Sequence, residues 1–202
     1  MIVLKINYPK GRPASRGDKK KKKSVNFANR GMTFESEIND TNQYYLERNI
    51  AVIHKKPTPV QIVKVDYPKR SAAVIKEAYF KEASTTDYNG LYKGHYIDFE
   101  AKVTKNKTSF PLNNFHEHQI IHMEKCLLQD GIVFVLMNFS TNRQYFVVPA
   151  SLVINYWKNQ SKGGRKSIPL EDIMEHGYEI TPGYNPRIPY LAILDEHFFK
   201  GD

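Results

Sequence analysis

His95-Tyr96-Ile97-Asp98-Phe99-Glu100-Ala101-Lys102-Val103 alternates apolar and polar residues without a break. Period two is the signature of a β-strand with one face in a core. Ile97, Phe99, Ala101 and Val103 form the apolar face, so Tyr96, Asp98, Glu100 and Lys102 project together on the other. Upstream, Thr85 and Asp87 also share a face. Two turn dipeptides, Asn89-Gly90 and Lys93-Gly94, lie between the segments. A reversal at Lys93-Gly94 sets Asp87 opposite Glu100, with Cβ atoms roughly 4.5–5.5 Å apart. A reversal at Asn89-Gly90 separates them. Both registers are open at this point.

With Lys102, the pair forms the pattern D-x12-E-x-K. Two carboxylates offer hard oxygen ligands to a divalent cation. A cation so held generates a nucleophilic water beside a phosphodiester. An ammonium next to it orients that water or offsets charge in the transition state. In most proteins an Asp and an E-x-K on a hairpin are a solvated face with a weak ion pair, so context must decide.

The composition narrows that context. At 202 residues the chain suits one substantial domain. No apolar run approaches a membrane span, and Ile2-Val3-Leu4 is too short for a signal-peptide core. The single cysteine, Cys126, excludes an intramolecular disulfide and fits a reducing compartment. The expectation is a cytoplasmic protein without membrane attachment.

Charge is distributed unevenly. Residues 1–30 hold ten basic residues (Lys5, Lys10, Arg12, Arg16, Lys19 to Lys23, Arg30) against Asp18 alone. Their charge of +9 equals that of the whole chain, so residues 31–202 carry 20 of each sign and are neutral. A segment with Gly11, Pro13, Gly17 and five consecutive lysines cannot bury enough apolar surface to fold. Residues 1–28 therefore read as a disordered basic tail, suited to DNA or RNA phosphates. A solubilising tail or a membrane contact are the weaker readings, since nothing amphipathic follows to dock on lipid.

Ordered structure is expected over 29–202. Phe34, Ile38, Thr41 and Tyr45 mark one face of a helix between Met32 and Arg48. Ile50 to His54 reads as a short strand. Lys55-Lys56-Pro57-Thr58-Pro59, then Val60 to Val65 and Asp66-Tyr67-Pro68-Lys69-Arg70, read as a projecting basic β-arm over about 55–72, whose prolines forbid a central strand. Ala72 to Lys81 fits a short helix or a strand. Asn113 to Gln129 reads as a helix, and Gly131 to Met137 as a strand buried on both faces. Gln144 to Val148 is its partner. Pro149 opens a helix to about Trp157, and a basic loop, Lys162-Gly163-Gly164-Arg165-Lys166, leads to a short helix near Glu171. Strands mixed with flanking helices make the chain α/β.

Other constellations are weaker. Glu35 and Glu37 read first as solvated helix residues. His118 and His122, at i and i+4, share a helix face, but the third ligand and the H-E-x-x-H glutamate of a zinc site are missing. Gly164-Arg165-Lys166-Ser167 shares the end of a phosphate-loop pattern without its first glycine. Cys126 reads as a small apolar helix residue.

Several ungapped blocks resemble a known family. They are Arg30-Gly31-Met32-Thr33, Val52 to Gln61, Asp66 to Ala72, Ser84 to Gly90 and Tyr96 to Lys102. Together they resemble RecU-type Holliday junction resolvases of low-GC Gram-positive bacteria, from about residue 29 onward. The resemblance implies a restriction-endonuclease-like PD-(D/E)xK fold, a mixed sheet flanked by helices with a projecting β stalk. It implies a homodimer that cuts four-way DNA junctions symmetrically with Mg²⁺, Mn²⁺ being a substitute.

Carried onto this chain, Thr85, Asp87, Glu100 and Gln119 are the metal positions. Asp87, Glu100 and Lys102 are the catalytic set, with Lys102 as transition-state stabiliser. Thr85-Thr86 stands where the wider superfamily often has a proline before the aspartate. Glu35 becomes a candidate accessory residue, and the arm becomes a stalk for the junction centre. Arg30, Lys56, Lys69 and Arg70 are expected on DNA phosphates, with recombinase and branch-migration proteins as further partners. A non-catalytic junction-binding or recombinase-modulating protein on the same fold is the alternative, and a nuclease for linear duplex is a third.

Overall fold

In the computed structural model, residues 33–66, 73–81 and 85–199 are described. The basic tail, Arg30, Lys69 and Arg70 lie outside the described residues. A six-stranded sheet runs in the order β1-β4-β5-β7-β8-β10. Its strands are β1 (Val52–Lys55), β4 (Tyr88–Tyr92), β5 (His95–Thr104), β7 (Ile132–Phe139), β8 (Gln144–Pro149) and β10 (Tyr178–Ile180). Only β5 and β7 pair in parallel. A parallel neighbour needs a crossover. Here β6 (Ser109–Pro111), a 3-10 turn at Leu112–Asn114 and helix α2 (Glu117–Leu127) supply it. The mixed sheet with flanking helices agrees with the α/β, restriction-endonuclease-like expectation.

Both faces of the sheet are covered. Helix α1 (Phe34–Glu47) and helix α5 (Tyr190–His197) pack on one face. There Phe34, Ile38 and Tyr45 meet Phe99, Phe134, Tyr190 and Leu194. The helix face expected from Phe34, Ile38, Thr41 and Tyr45 is buried throughout, and the Thr33 hydroxyl accepts the Ser36 N–H at its start (3.2 Å). On the opposite face lie α2, α3 (Ala150–Gln160) and α4 (Leu170–His176), the last preceded by β9 (Ser167–Pro169). Strand β7 feeds both cores, Phe134 and Leu136 into the first and Val133, Val135 and Met137 into the second. That accounts for its continuous apolar run.

The open register is resolved at Lys93-Gly94. Tyr92 pairs with His95 and Tyr88 with Phe99, and Lys93 and Gly94 take φ of 49° and 81°. Positive φ at both central residues suits a two-residue hairpin turn. Gly90 instead sits within β4, directly across from Ile53. A Cβ there would stand 2.0 Å from the Val52 carbonyl oxygen and 2.6 Å from Ile53 Cα, so glycine permits the close approach of β1.

Three expectations change in detail. Helix α2 starts at Glu117 and not at 113, because Leu112–Asn114 form the 3-10 turn and His116 caps the helix. The segment left between helix and strand is β3 (Val74–Phe80), paired antiparallel with β2 (Val60–Asp66). The two form a ribbon apart from the main sheet, with every residue but Val65 exposed. Val103, assigned to the apolar core face, is 46% exposed.

Gly90→Ala is expected to destabilise the protein by about 1–3 kcal/mol through forced separation of β1 from β4. Chemical denaturation of the variant against the parent measures it, and an unchanged midpoint would contradict the packing described.

Candidate active site

The β4–β5 register carries the site. One residue beyond the Tyr88–Phe99 pair, the Asp87 N–H donates to Glu100 Oε2 at 3.1 Å. The Lys102 ammonium lies 2.8 Å from Glu100 Oε1 and 5.8 Å from the Phe115 ring centroid. Asp87, Glu100 and Lys102 are thus brought together.

Their environment is not the solvated hairpin face that the bland reading expects. Helix α2 covers this face of β5, and Glu100 is fully buried. Its Oε1 accepts no well-aligned hydrogen bond. Burial pushes the Glu100 carboxyl up to about 8, and its contact with Asp87 pushes the same way, against the partly offsetting Lys102 charge. A buried carboxyl in contact with Asp87 and with a single ammonium beside it fits a divalent cation, because a cation offsets the remaining negative charge.

The remaining expected ligands are engaged locally. Gln119 is buried in the first turn of α2, where its Oε1 accepts the His116 N–H at 3.1 Å. A carbonyl oxygen retains a second lone pair for a ligand. The Thr85 hydroxyl donates to the Thr86 carbonyl at 3.2 Å. Glu35 is half-exposed and pairs with Lys55 at 2.5 Å. Burial raises the Tyr88 phenol, and the charges of Glu35, Asp87 and Glu100 add to that rise, so Glu35 lies within electrostatic reach of the same group.

Lys56 is turned away from the role expected of it. Its ammonium donates to Asp98 Oδ2 (2.8 Å) and to the Thr86 hydroxyl (2.9 Å), and its side chain is 17% exposed. The backbone N–H of the same residue donates to the Asp87 carbonyl at 2.7 Å. An ammonium held inside the protein beside a carboxylate is not presented to a phosphate.

Asp98 was not singled out from sequence, yet it is the hub of this neighbourhood. Its buried carboxylate accepts from Lys56, from the Thr86 hydroxyl, from the Tyr96 hydroxyl (2.8 Å) and from His122 Nε2 (3.1 Å). Burial alone would raise its carboxyl. The donors, His122 first and then Lys56, Thr86 and Tyr96, outweigh burial and hold it below the usual range. The signal was present in the period-two pattern, where Asp98 shares the face of Glu100 and Lys102.

Asp98, His122 and Cys126 are also the one group of metal-ligating side chains clustered among the described residues, with ligand atoms within 4.8 Å of one another. His and Cys donors suit softer ions than Mg²⁺. The Lys56 ammonium already supplies the positive charge on the shared oxygen.

The model of the family "Recombination protein U" matches residues 29–196. The chain belongs to the RecU family. It is 61% identical to the Holliday junction resolvase RecU of Lactiplantibacillus plantarum, over 95% of each chain. It is 58% identical to the Latilactobacillus sakei protein of that name, over 96% of each. It is 56% identical to the Bacillus cereus one, over 98% of this chain and 100% of the other. RecU membership spans the whole β4–β5 hairpin, Lys56, Asp98 and α2, so the network around Asp98 lies inside the family segment.

Two outcomes are expected of the buried carboxylates. Asp98→Ala leaves the Lys56 ammonium buried without its partner and should destabilise the fold by about 3 kcal/mol. Asp98→Ala combined with Lys56→Met should recover much of that loss in denaturant unfolding. Glu100 behaves oppositely. Its folded pKa lies above its ordinary 4.5, so its contribution to folding is full below that value and is lost as pH rises through about 8. In chelator, the thermal midpoint should fall between about pH 5 and 8, and Glu100→Gln should flatten that fall.

Proposed function

We propose that this chain is a Mg²⁺-dependent, structure-selective endonuclease that resolves Holliday junctions by paired, symmetric phosphodiester cleavage in homologous recombination and repair. One observation carries the reading. In a chain of the RecU family, whose relatives are named Holliday junction resolvases, the hairpin register sets Asp87 against Glu100 with the Lys102 ammonium beside it.

Asp87 and Glu100 are the anionic ligands in this reading, with the neutral oxygens of Thr85 and Gln119 completing a hard-donor set. The cation, Mg²⁺ or Mn²⁺ in its place, supplies a nucleophilic water and offsets charge on the phosphate. Glu100 gives up its proton as it takes up that role, so cation affinity rises with pH toward about 8, the value at which the carboxyl ionises unaided. Lys102 remains as a fixed positive group at Glu100. It orients the attacking water through its N–H donors and stabilises the charge that builds on the phosphoryl oxygens. The backbone of Asp87 is held from both sides, its N–H by Glu100 and its carbonyl by Lys56. Such fixation keeps the carboxylate at one position, which is what in-line attack requires.

Two such sites, one per subunit of a homodimer, match a substrate with near-twofold symmetry. The β2–β3 ribbon is the candidate stalk for the junction centre, with Lys69 and Arg70 on phosphates and Arg30 and the basic tail assisting attachment. Glu35 serves as an accessory group. The work is cytoplasmic, on chromosomal DNA with recombinase and branch-migration proteins. Among the described residues no helix is long and apolar enough to cross a membrane.

A synthetic four-way junction with Mg²⁺ tests the reading. Asp87→Asn and Lys102→Ala should each slow cleavage by about 100-fold or more while junction binding persists. Wild-type cleavage rates in both variants would overturn the site. A protein that binds the junction tightly but never nicks it would favour the non-catalytic alternative, and equal cutting of linear duplex would favour the third.

A further inference from the structure

The basic loop after helix α3 has no part in the chemistry described above. Lys162, Gly163, Gly164, Arg165 and Lys166 are all exposed, and no salt bridge among the described residues involves Lys162, Arg165 or Lys166. One cation here has a ready explanation, since Lys162 stands at the C-terminal end of α3 and offsets the helix dipole. Arg165 and Lys166 lie farther from the Ser161 cap and are not so explained.

The loop is built to one shape. Gly163 takes a φ of +86°, its N–H donates to the Gln160 carbonyl (3.2 Å), and the Gly164 N–H donates to the Asn159 carbonyl (2.9 Å). A Cβ on Gly164 would meet that carbonyl oxygen at 2.7 Å. Two glycines therefore close the helix end tightly and fix where the cations emerge.

They emerge around a surface depression lined by Asn155, Tyr156, Asn159, Lys162, Gly164 and Arg165. Its lining holds two cations, two amides and a phenol, and no carboxylate. The neighbouring acids are already engaged. Asp172 accepts the Tyr156 hydroxyl, and Glu124 pairs with Lys158. A guanidinium and an ammonium beside side-chain amides are partners a phosphodiester needs.

A chain of contacts also links this loop to the candidate active site. The Leu112 N–H donates to the Lys166 carbonyl (3.0 Å) and the Phe115 N–H to the Leu112 carbonyl (2.9 Å). The Phe115 ring in turn faces the Lys102 ammonium. On the other side, Ser161 shares a surface groove with Glu117 in the first turn of α2. Segment 112–115 spans at most roughly 14 Å, well inside the roughly 34 Å of one duplex turn.

We propose that Lys162 and Arg165, with the Asn159 amide, form a phosphate seat for the DNA arm that flanks the cleaved position, separate from the Asp87–Glu100 centre. This rests on the nuclease reading above. The seat contacts backbone and not bases, so it adds affinity and fixes arm direction without sequence preference.

The experiment measures dissociation constants of a labelled immobile four-way junction, in chelator, across a range of salt. The proteins are the full wild-type chain, a Lys162→Ala/Arg165→Ala variant and a Lys125→Ala control on the far end of α2, each checked for an unchanged thermal midpoint. Loss of two phosphate contacts should weaken binding several-fold and make the slope of log affinity against log salt shallower by about 1.8. The control should match wild type. A double variant with wild-type affinity and slope overturns the seat, as does a control that loses as much per charge removed. Wild-type protein that fails to bind the junction at all defeats the nuclease reading itself, and the seat with it.

Discussion

Two carboxylates two residues apart on one face of β5 are both fully buried, and the rest of the site depends on how each is compensated. Asp98 receives four donors, one of them an ammonium, and is held as a carboxylate. Glu100 receives one backbone N–H and one ammonium contact, and burial dominates, leaving its carboxyl favoured in the neutral form. Strand, face and covering helix are the same, so the number of donors and the Asp87 carboxylate beside Glu100 decide the difference. Asp98 is complete without anything added. Glu100 is left short of positive charge, which is the condition under which a carboxylate takes up a cation.

The secondary structure serves that asymmetry. The two-residue turn at Lys93-Gly94 sets Asp87 beside Glu100, and the glycine at position 90 allows β1 to lie close enough for Lys56 to reach both the Asp87 carbonyl and Asp98. Through Thr86, whose hydroxyl meets Asp98 and Lys56, the same network holds the residue between Thr85 and Asp87. Helix α2 covers the polar face and contributes His122 to Asp98. A lysine that reads from sequence as a DNA contact is thereby engaged inside the protein, between Asp98 and the Thr86 hydroxyl.

Much of this was legible beforehand. The period-two run from Tyr96 to Val103 identified the strand and the grouping of Glu100 with Lys102. The three- and four-residue steps from Phe34 to Tyr45 identified a helix face that is buried as read. The unbroken apolar run in β7 marked a strand covered on both sides. What failed did so for tertiary reasons. Val103 alternates correctly but stays half-exposed, and Asn113 to His116 look helical until the 3-10 turn and the His116 cap are seen. Asp98 looked like one more polar residue, since alternation marks the face a residue is on and not whether another helix will cover it.

By itself, the sequence determined most of the elements, the +9 charge of residues 1–30 against a neutral remainder, and which side chains offer hard oxygen donors, because period, charge and donor type are local properties of the chain. Only the tertiary structure decided between the two hairpin registers, turned Lys56 inward, and gave Asp98 and Glu100 opposite proton affinities. Those outcomes depend on which groups from distant segments crowd around a buried carboxylate, and no local pattern carries that information.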